Sequence, residues 1–518
     1  MALDWLGGGK VDHPMADPKR AREIVAELPA GDSAKALAEI TYWLDSINQT
    51  GEFKLNQRFE NIDLLDGAVR NHLRKLSQDY LAMPRQLKFQ ENRLWNALFG
   101  WWRQLGDGYL QCIKQYEDGV IGMTLVRKSL PVIVARVIRA LTFQLKWELL
   151  RYGPVEPRIW LELAQAYSIA EQRGFADGVI AVYPGALGET TVKREFLTAM
   201  MFSAASPEGL PPLRQEIAER TAAHLASAFR ISTRPDGCTH GVDLVAPGPS
   251  VRLLKGVEPK ATLRFFGAGN GLAELNQLIG KIVETGAVPG NVNLGGGHGK
   301  DDVIGTFRHL AQYWSAQPPA RGSERRRTAG RITVVPGLKD ILKSLDPPDD
   351  DTLDFSLNQP GKSEESWIVH DVSEGGYGAI IPTVKSDWIR VGTLVGVRNE
   401  AAKYWGVGLI RRIVRDDKQQ RRVGIQLLTT TAIPVKISVS QTLSFTAADR
   451  ETERAILLST GPDRQGEIGV VMRGGLFNGR DRLDLTVRDK AFQLMPVSLV
   501  EGGEDFDWAK FKVMQRSA

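Results

Sequence analysis

Cysteine is scarce: Cys112 and Cys238 are the only two in 518 residues, far apart and with no CxxC or Cys/His cluster beside either. That argues against a disulfide framework and a structural zinc site, and it fits a reducing, cytoplasmic setting. Histidine is sparse too, at seven, and no HExxH, no GxSxG and no His/Asp/Ser set of recognisable spacing occurs. The common hydrolase constellations therefore have no residues to stand on. Neither sign of charge prevails, since 66 Lys+Arg against 61 Asp+Glu leave only +5. Basic surfaces must then be local rather than global. Long apolar runs are missing. The most membrane-like stretch, Pro131 to Tyr152, is interrupted by Arg136, Arg139, Lys146 and Glu148, and it reads as a buried helix rather than a span. The opening decapeptide carries Asp4 where an export signal would be basic.

What is present is an ordinary globular composition, 42% hydrophobic and 25% charged, in a chain long enough for about three or four domains. From Asp32 to about Arg230 the apolar spacing is helical. Leu37, Ile40, Leu44 and Ile47 recur at three and four residues behind an Asp32 cap. Gly153-Pro154 breaks the pattern once and the Pro207 to Pro212 run again. Residues 1–230 are therefore expected to be one or more helical domains with a sub-boundary near 153. Turn formers dominate Ile231 to Ser250 and predict a linker or surface loop. Residues 231–320 as a whole read as a small mixed α/β segment.

After Arg331 the period changes to two. Arg331 to Val335, Trp367 to Val369, Leu394 to Val397, Val407 to Val414 and Val423 to Leu428 read as short strands of a small barrel. The polar, Pro-rich stretch Leu345 to Glu365 reads as a projecting loop. In the tail, Leu483, Leu485 and Val487 share one face behind an Asn478-Gly479 turn, so 436–518 is expected to be a further β-rich module. The fold class is thus multidomain α+β: an all-α front, an antiparallel barrel over 321–435, and a β-rich tail.

Two glycine-rich stretches invite a nucleotide-enzyme reading and fail its chemistry. In Gly267 to Gly271 the third fingerprint position holds Leu272. In GGGHGK, Leu294 stands in place of the first glycine and Asp301 in place of the Ser/Thr that would meet magnesium. The densest feature is Arg321 to Arg331, five arginines and one glutamate in eleven residues. Arginine's planar donor fork suits a phosphate or the face of a base. Alone, the Arg327-x-x-x-Arg331 spacing says little, because Arg70/Arg74, Arg411/Arg415 and Arg450/Arg454 share it. A second element changes this. Asp371-Val372-Ser373-Glu374-Gly375-Gly376 places a carboxylate and a hydroxyl on a Gly-supported loop. A carboxylate can accept from the ring N–H and amino group of guanine, and arginine can reach its O6/N7 edge. Together the two elements describe a guanine-phosphate site.

These motifs resemble the PilZ family of bacterial receptors for the second messenger cyclic di-GMP, whose pattern is RxxxR on an arm before a six-stranded barrel and (D/N)xSxxG on a barrel loop. Arg327/Arg331 and Asp371/Ser373/Gly376 match it, and VGTLVGVRNE, YWGVGLIRRIV and RRVGIQLL are similar to the family's strands. The likeness spans about Arg321 to Val435. It departs from the pattern in the acidic, Pro-rich insert between the motifs. The resemblance implies that Arg327 and Arg331 clamp the phosphodiester and guanine, with Arg326 auxiliary, that Asp371 and Ser373 read the guanine edge, and that Gly376 permits the turn. It implies a ligand, cyclic di-GMP, and no cofactor, metal or catalysis. The output would be contact with a protein partner of the motility, pilus or exopolysaccharide type. Two rival readings stand beside it: an RNA or single-strand binder using the arginine arm, with Trp367 or Trp405 stacking on bases, and an enzyme using a Gly-rich loop.

Overall fold

The computed structural model describes residues 11–83, 87–183, 188–254, 256–317, 324–346, 364–382, 388–400, 402–416, 418, 420–440, 452–487 and 490–515. The chain divides into two units, 1–320 and 321–518.

The first unit is helical wherever the sequence spacing is. Its first nine helices are α1 (Pro18–Ala26), α2 (Ser33–Gln49), α3 (Leu55–Ala82), α4 (Lys88–Glu117), α5 (Met123–Val126), α6 (Leu130–Leu150), α7 (Pro157–Gln172), α8 (Val192–Ala204) and α9 (Pro212–Leu225). Leu37, Ile40, Leu44 and Ile47 all face the core. The Asp32 carboxylate accepts from the Ala34 and Lys35 amides at 3.1 and 3.0 Å, satisfying two orphan donors of α2. The charges that interrupt Pro131 to Tyr152 are spent inside the protein. In α6, Arg136 donates to Asp63 at 2.5 Å and to the Tyr109 hydroxyl at 2.7 Å. Lys146 meets Glu216 and Glu219 of α9 at 2.7 and 2.9 Å. Among the described residues no helix is long and apolar enough to cross a membrane.

A two-stranded hairpin, β1 (Ile180–Ala181) and β2 (Glu189–Thr190), links α7 to α8. The turn-rich stretch after Ile231 is not a plain linker. It contributes to a four-stranded antiparallel sheet of β3 (Arg230–Ser232), β4 (His240–Asp243), β5 (Val251–Arg252) and β6 (Leu263–Gly267), ordered β3-β6-β4-β5. The buried pair Phe265 and Phe266 on β6 recruits both flanking strands, and the turn formers fall between them. Two helices close the unit, α10 (Gly271–Thr285) and α11 (Lys300–Trp314).

The second unit consists of two barrels. The first is built from β7 (Arg326–Pro336), β8 (Glu365–Ser373), β9 (Gly376–Ile381), β10 (Leu394–Asn399), β11 (Gly406–Arg415) and β12 (Arg421–Thr429), with a short helix, α12 (Gly337–Ser344), directly after β7. The second is built from β13 (Ile433–Val439), β14 (Glu453–Leu457), β15 (Glu467–Arg473), β16 (Leu483–Val487), β17 (Lys490–Gly502) and β18 (Phe506–Gln515). Both close in the same order, first-second-third-sixth-fifth-fourth strand. The β-rich tail is therefore a barrel with the connectivity of its neighbour. Closure leaves neither barrel an open sheet edge.

The two barrels share one seam. Leu338, Ile341 and Leu342 of α12 pack with Ile456, Val471 and Phe506 of the second barrel. Asp505 accepts from the Leu338 amide at 2.7 Å, capping α12 from the other barrel. Arg411 grips Glu501 through two bonds of 2.7 Å. Most of the insert, 347–363, lies outside the described residues.

Candidate functional site

The arginine run does not stay an arm. From Arg326 it is strand, five residues earlier than the alternation after Arg331 suggests, because β8 also extends and pairs with it: Arg326 opposite Val372, Arg327 opposite Asp371, Arg331 opposite Ile368. The part of the run before residue 324 lies outside the described residues. Two irregularities punctuate this ladder. Between Arg327 and Gly330 the β7–β8 register shifts, and between Val369 and Asp371 the β8–β9 register shifts, leaving His370 as the extra residue. Bulges of this kind re-aim side chains, and they are common beside functional sites.

Arg326, Arg327 and Arg331 are all exposed. Arg331 donates to the Ser366 hydroxyl at 3.1 Å, which holds its guanidinium at the barrel surface. The Asp371 carboxylate is mostly covered, at 14% side-chain exposure. One oxygen, Oδ2, sits 2.8 Å from His370 Nδ1, and the other, Oδ1, sits 3.0 Å from Arg325 Nη1. Ser373 lies opposite Gly376 at the end of the β8–β9 hairpin, its hydroxyl 3.5 Å from the Gly376 carbonyl. The structure thus gathers all six residues singled out in the sequence onto β7 and the β8–β9 hairpin.

Two glycines make the hairpin possible. A Cβ on Gly376 would lie 1.9 Å from the Ile425 carbonyl oxygen of β12, so only glycine allows that approach. A Cβ on Gly378 would lie 2.5 Å from Asp371 Oδ2. Gly378 is therefore the floor on which the carboxylate rests. Sequence reasoning missed Arg325, His370 and Gly378. The signal for Arg325 was its place in the dense arginine run, directly before β7.

The first glycine stretch and the two candidate stacking tryptophans are occupied by the chain itself. A Cβ on Gly269 would meet the Ala228 carbonyl oxygen at 2.5 Å and one on Gly271 the Phe229 ring at 3.0 Å, so these glycines fit protein against protein. His298 of the second glycine stretch bonds the Leu294 carbonyl at 3.0 Å. Trp367 is fully buried, stacked on Trp388 at 5.6 Å, and Glu365 accepts from both indoles. Trp405 is buried beneath Arg398. Neither tryptophan offers a face to a base.

Comparison with known families adds two matches. The N-terminal-domain model of the cyclic-di-GMP receptor FimW matches residues 19–236, and the model of that receptor's middle PilZ domain matches residues 358–434. The chain belongs to the PilZ-domain family of cyclic-di-GMP receptors. No curated protein matches it. The PilZ match spans β8 to β12 and includes Asp371, Ser373 and Gly376, while Arg326, Arg327 and Arg331 precede it. The helical half, for which the sequence motifs implied nothing, matches the N-terminal domain of the same receptor.

Proposed function

We propose that this chain binds cyclic di-GMP at the β7–β8–β9 end of the first barrel and passes the binding event to a protein partner, without chemistry of its own. The observation that carries the reading is the pairing of Arg327 with Asp371 across one ladder. A phosphate-binding fork and a carboxylate that can accept from guanine then stand on neighbouring strands at paired positions. Arg327 and Arg331 clamp the phosphodiester and guanine, and Arg326 assists. Asp371 and Ser373 take the base's donor edge, and Gly376 keeps the hairpin tight.

The relay begins where the chain passes from its first unit to its second. The arginines lie a few residues after that point, so holding them on a dianion restricts the connection between units. A partner of the motility, pilus or exopolysaccharide type would read the result. Calorimetric titration with cyclic di-GMP, GTP and a linear dinucleotide tests the ligand assignment. Binding of cyclic di-GMP alone is the expected result, and equal affinity for all three would refute it. Solution scattering of the full chain with and without ligand tests the relay, and an unchanged profile at saturation would remove it.

A further inference from the structure

Asp371 is engaged on both carboxylate oxygens by side chains of its own chain. Arg325 Nη1 stands 3.0 Å from Oδ1, and His370 Nδ1 stands 2.8 Å from Oδ2. The two contacts differ in kind. His370 is the bulge residue adjoining Asp371, so its ring is fixed beside the carboxylate by the backbone itself. Arg325 comes from the last residues before β7, and its side chain is half exposed. Among the described residues, Oδ1 receives no aligned hydrogen bond despite being buried. Arg325 is thus an ion-pair neighbour that leaves the oxygen's acceptor capacity unspent.

The donor edge of guanine, N1–H and the C2 amino group, is itself a guanidine fragment: two N–H donors on one carbon, in plane. A carboxylate that sits against a guanidinium as an ion-pair partner keeps the acceptor capacity to take this edge in its place. We propose that Arg325 is an internal stand-in for guanine, pairing with Asp371 and giving it up when the base arrives, while His370 keeps the carboxylate oriented throughout. The inference rests on the reading of Asp371 as the base-reading group.

The consequence opposes simple electrostatics. Removing a positive charge beside a dianion's site should weaken binding, whereas removing a competitor for Asp371 should strengthen it. Calorimetry on the full chain compares the unaltered protein with Arg325→Gln and Arg326→Gln. Arg325→Gln is expected to bind cyclic di-GMP about two- to fivefold more tightly, the worth of an exposed ion pair, and Arg326→Gln more weakly. Cyclic di-AMP, whose base presents one donor and one acceptor on that edge, should gain nothing. Equal or weaker cyclic-di-GMP binding by Arg325→Gln overturns the stand-in role, as does an equal gain for cyclic di-AMP. His370→Ala should lose guanine preference and His370→Asn, which keeps a donor near the carboxylate, should recover part of it. Identical preference in both variants overturns the orienting role. Absence of cyclic-di-GMP binding by the unaltered chain would instead bring down the site assignment itself.

Discussion

Arg327 faces Asp371 directly across the β7–β8 ladder, and the Asp371 carboxylate rests on Gly378 of the next strand. Three adjacent strands therefore fix one cation and one anion in register, at the end of a closed barrel whose strands cannot slide without breaking the ring.

Loss of the clamp should be selective. Arg327→Ala and Arg331→Ala are each expected to weaken cyclic-di-GMP binding by about 1.5–3 kcal/mol, the range for a charge-assisted hydrogen bond. Arg70, in a pair of the same spacing, stacks on the buried Tyr183 ring at 3.9 Å. Arg70→Ala should leave binding unchanged while lowering the melting temperature. Equal affinity losses at all three positions, measured by calorimetry, would show that general charge rather than a site is responsible.

The two hairpin glycines should separate folding from binding. Gly376→Ala drives a methyl into the Ile425 carbonyl and is expected to destabilise the second unit by at least about 1–3 kcal/mol. Gly378→Ala presses on a side chain that can move, so denaturation should change little while affinity falls as the carboxylate is displaced. Chemical denaturation paired with titration checks both, and the reverse pattern would contradict the roles assigned.

Asp371→Ala should distinguish base reading from charge. A carboxylate repels phosphate, so its removal should leave binding of a nonspecific polyanion unchanged or stronger. Cyclic di-GMP should bind more weakly. A variant that binds cyclic di-GMP more tightly than the unaltered chain would show that Asp371 does not read the base.

Acid should destabilise the first unit through His240. Burial, aided by the nearby Arg252 charge, lowers its imidazole to about 4, so the folded state holds it neutral while the unfolded chain takes up a proton near pH 6.5. The associated stability is fully present above that value, is lost as pH falls toward 4, and changes no further below. The loss should be about 3–4 kcal/mol. Denaturation curves across this window should show the slope, and His240→Gln should flatten it. An unaltered slope in that variant would assign the effect elsewhere.

The sequence alone determined the local features. The spacing of Leu37, Ile40, Leu44 and Ile47 specified α2, and alternation specified β10, β11 and β12, because helical and extended chains repeat at 3.6 and 2 residues whatever surrounds them. The motif residues were legible for the same reason: their chemistry and spacing are carried by consecutive positions. Tertiary structure decided what has no local signature. β9 escaped notice because Gly376 and Gly378 depress strand propensity, and it exists because those glycines clear the Ile425 carbonyl and the Asp371 carboxylate. Arg326 to Gly330 shows no strand pattern and becomes strand only through its ladder to β8. Closure of the second barrel joins β13 to β16 and β15 to β18 across long stretches of chain, and such pairing is settled by packing and hydrogen-bond satisfaction rather than by any segment's own preference. The engagement of Asp371 by Arg325 and His370 belongs to the same class. It follows from a bulge and a register, and these exist only once the strands have met.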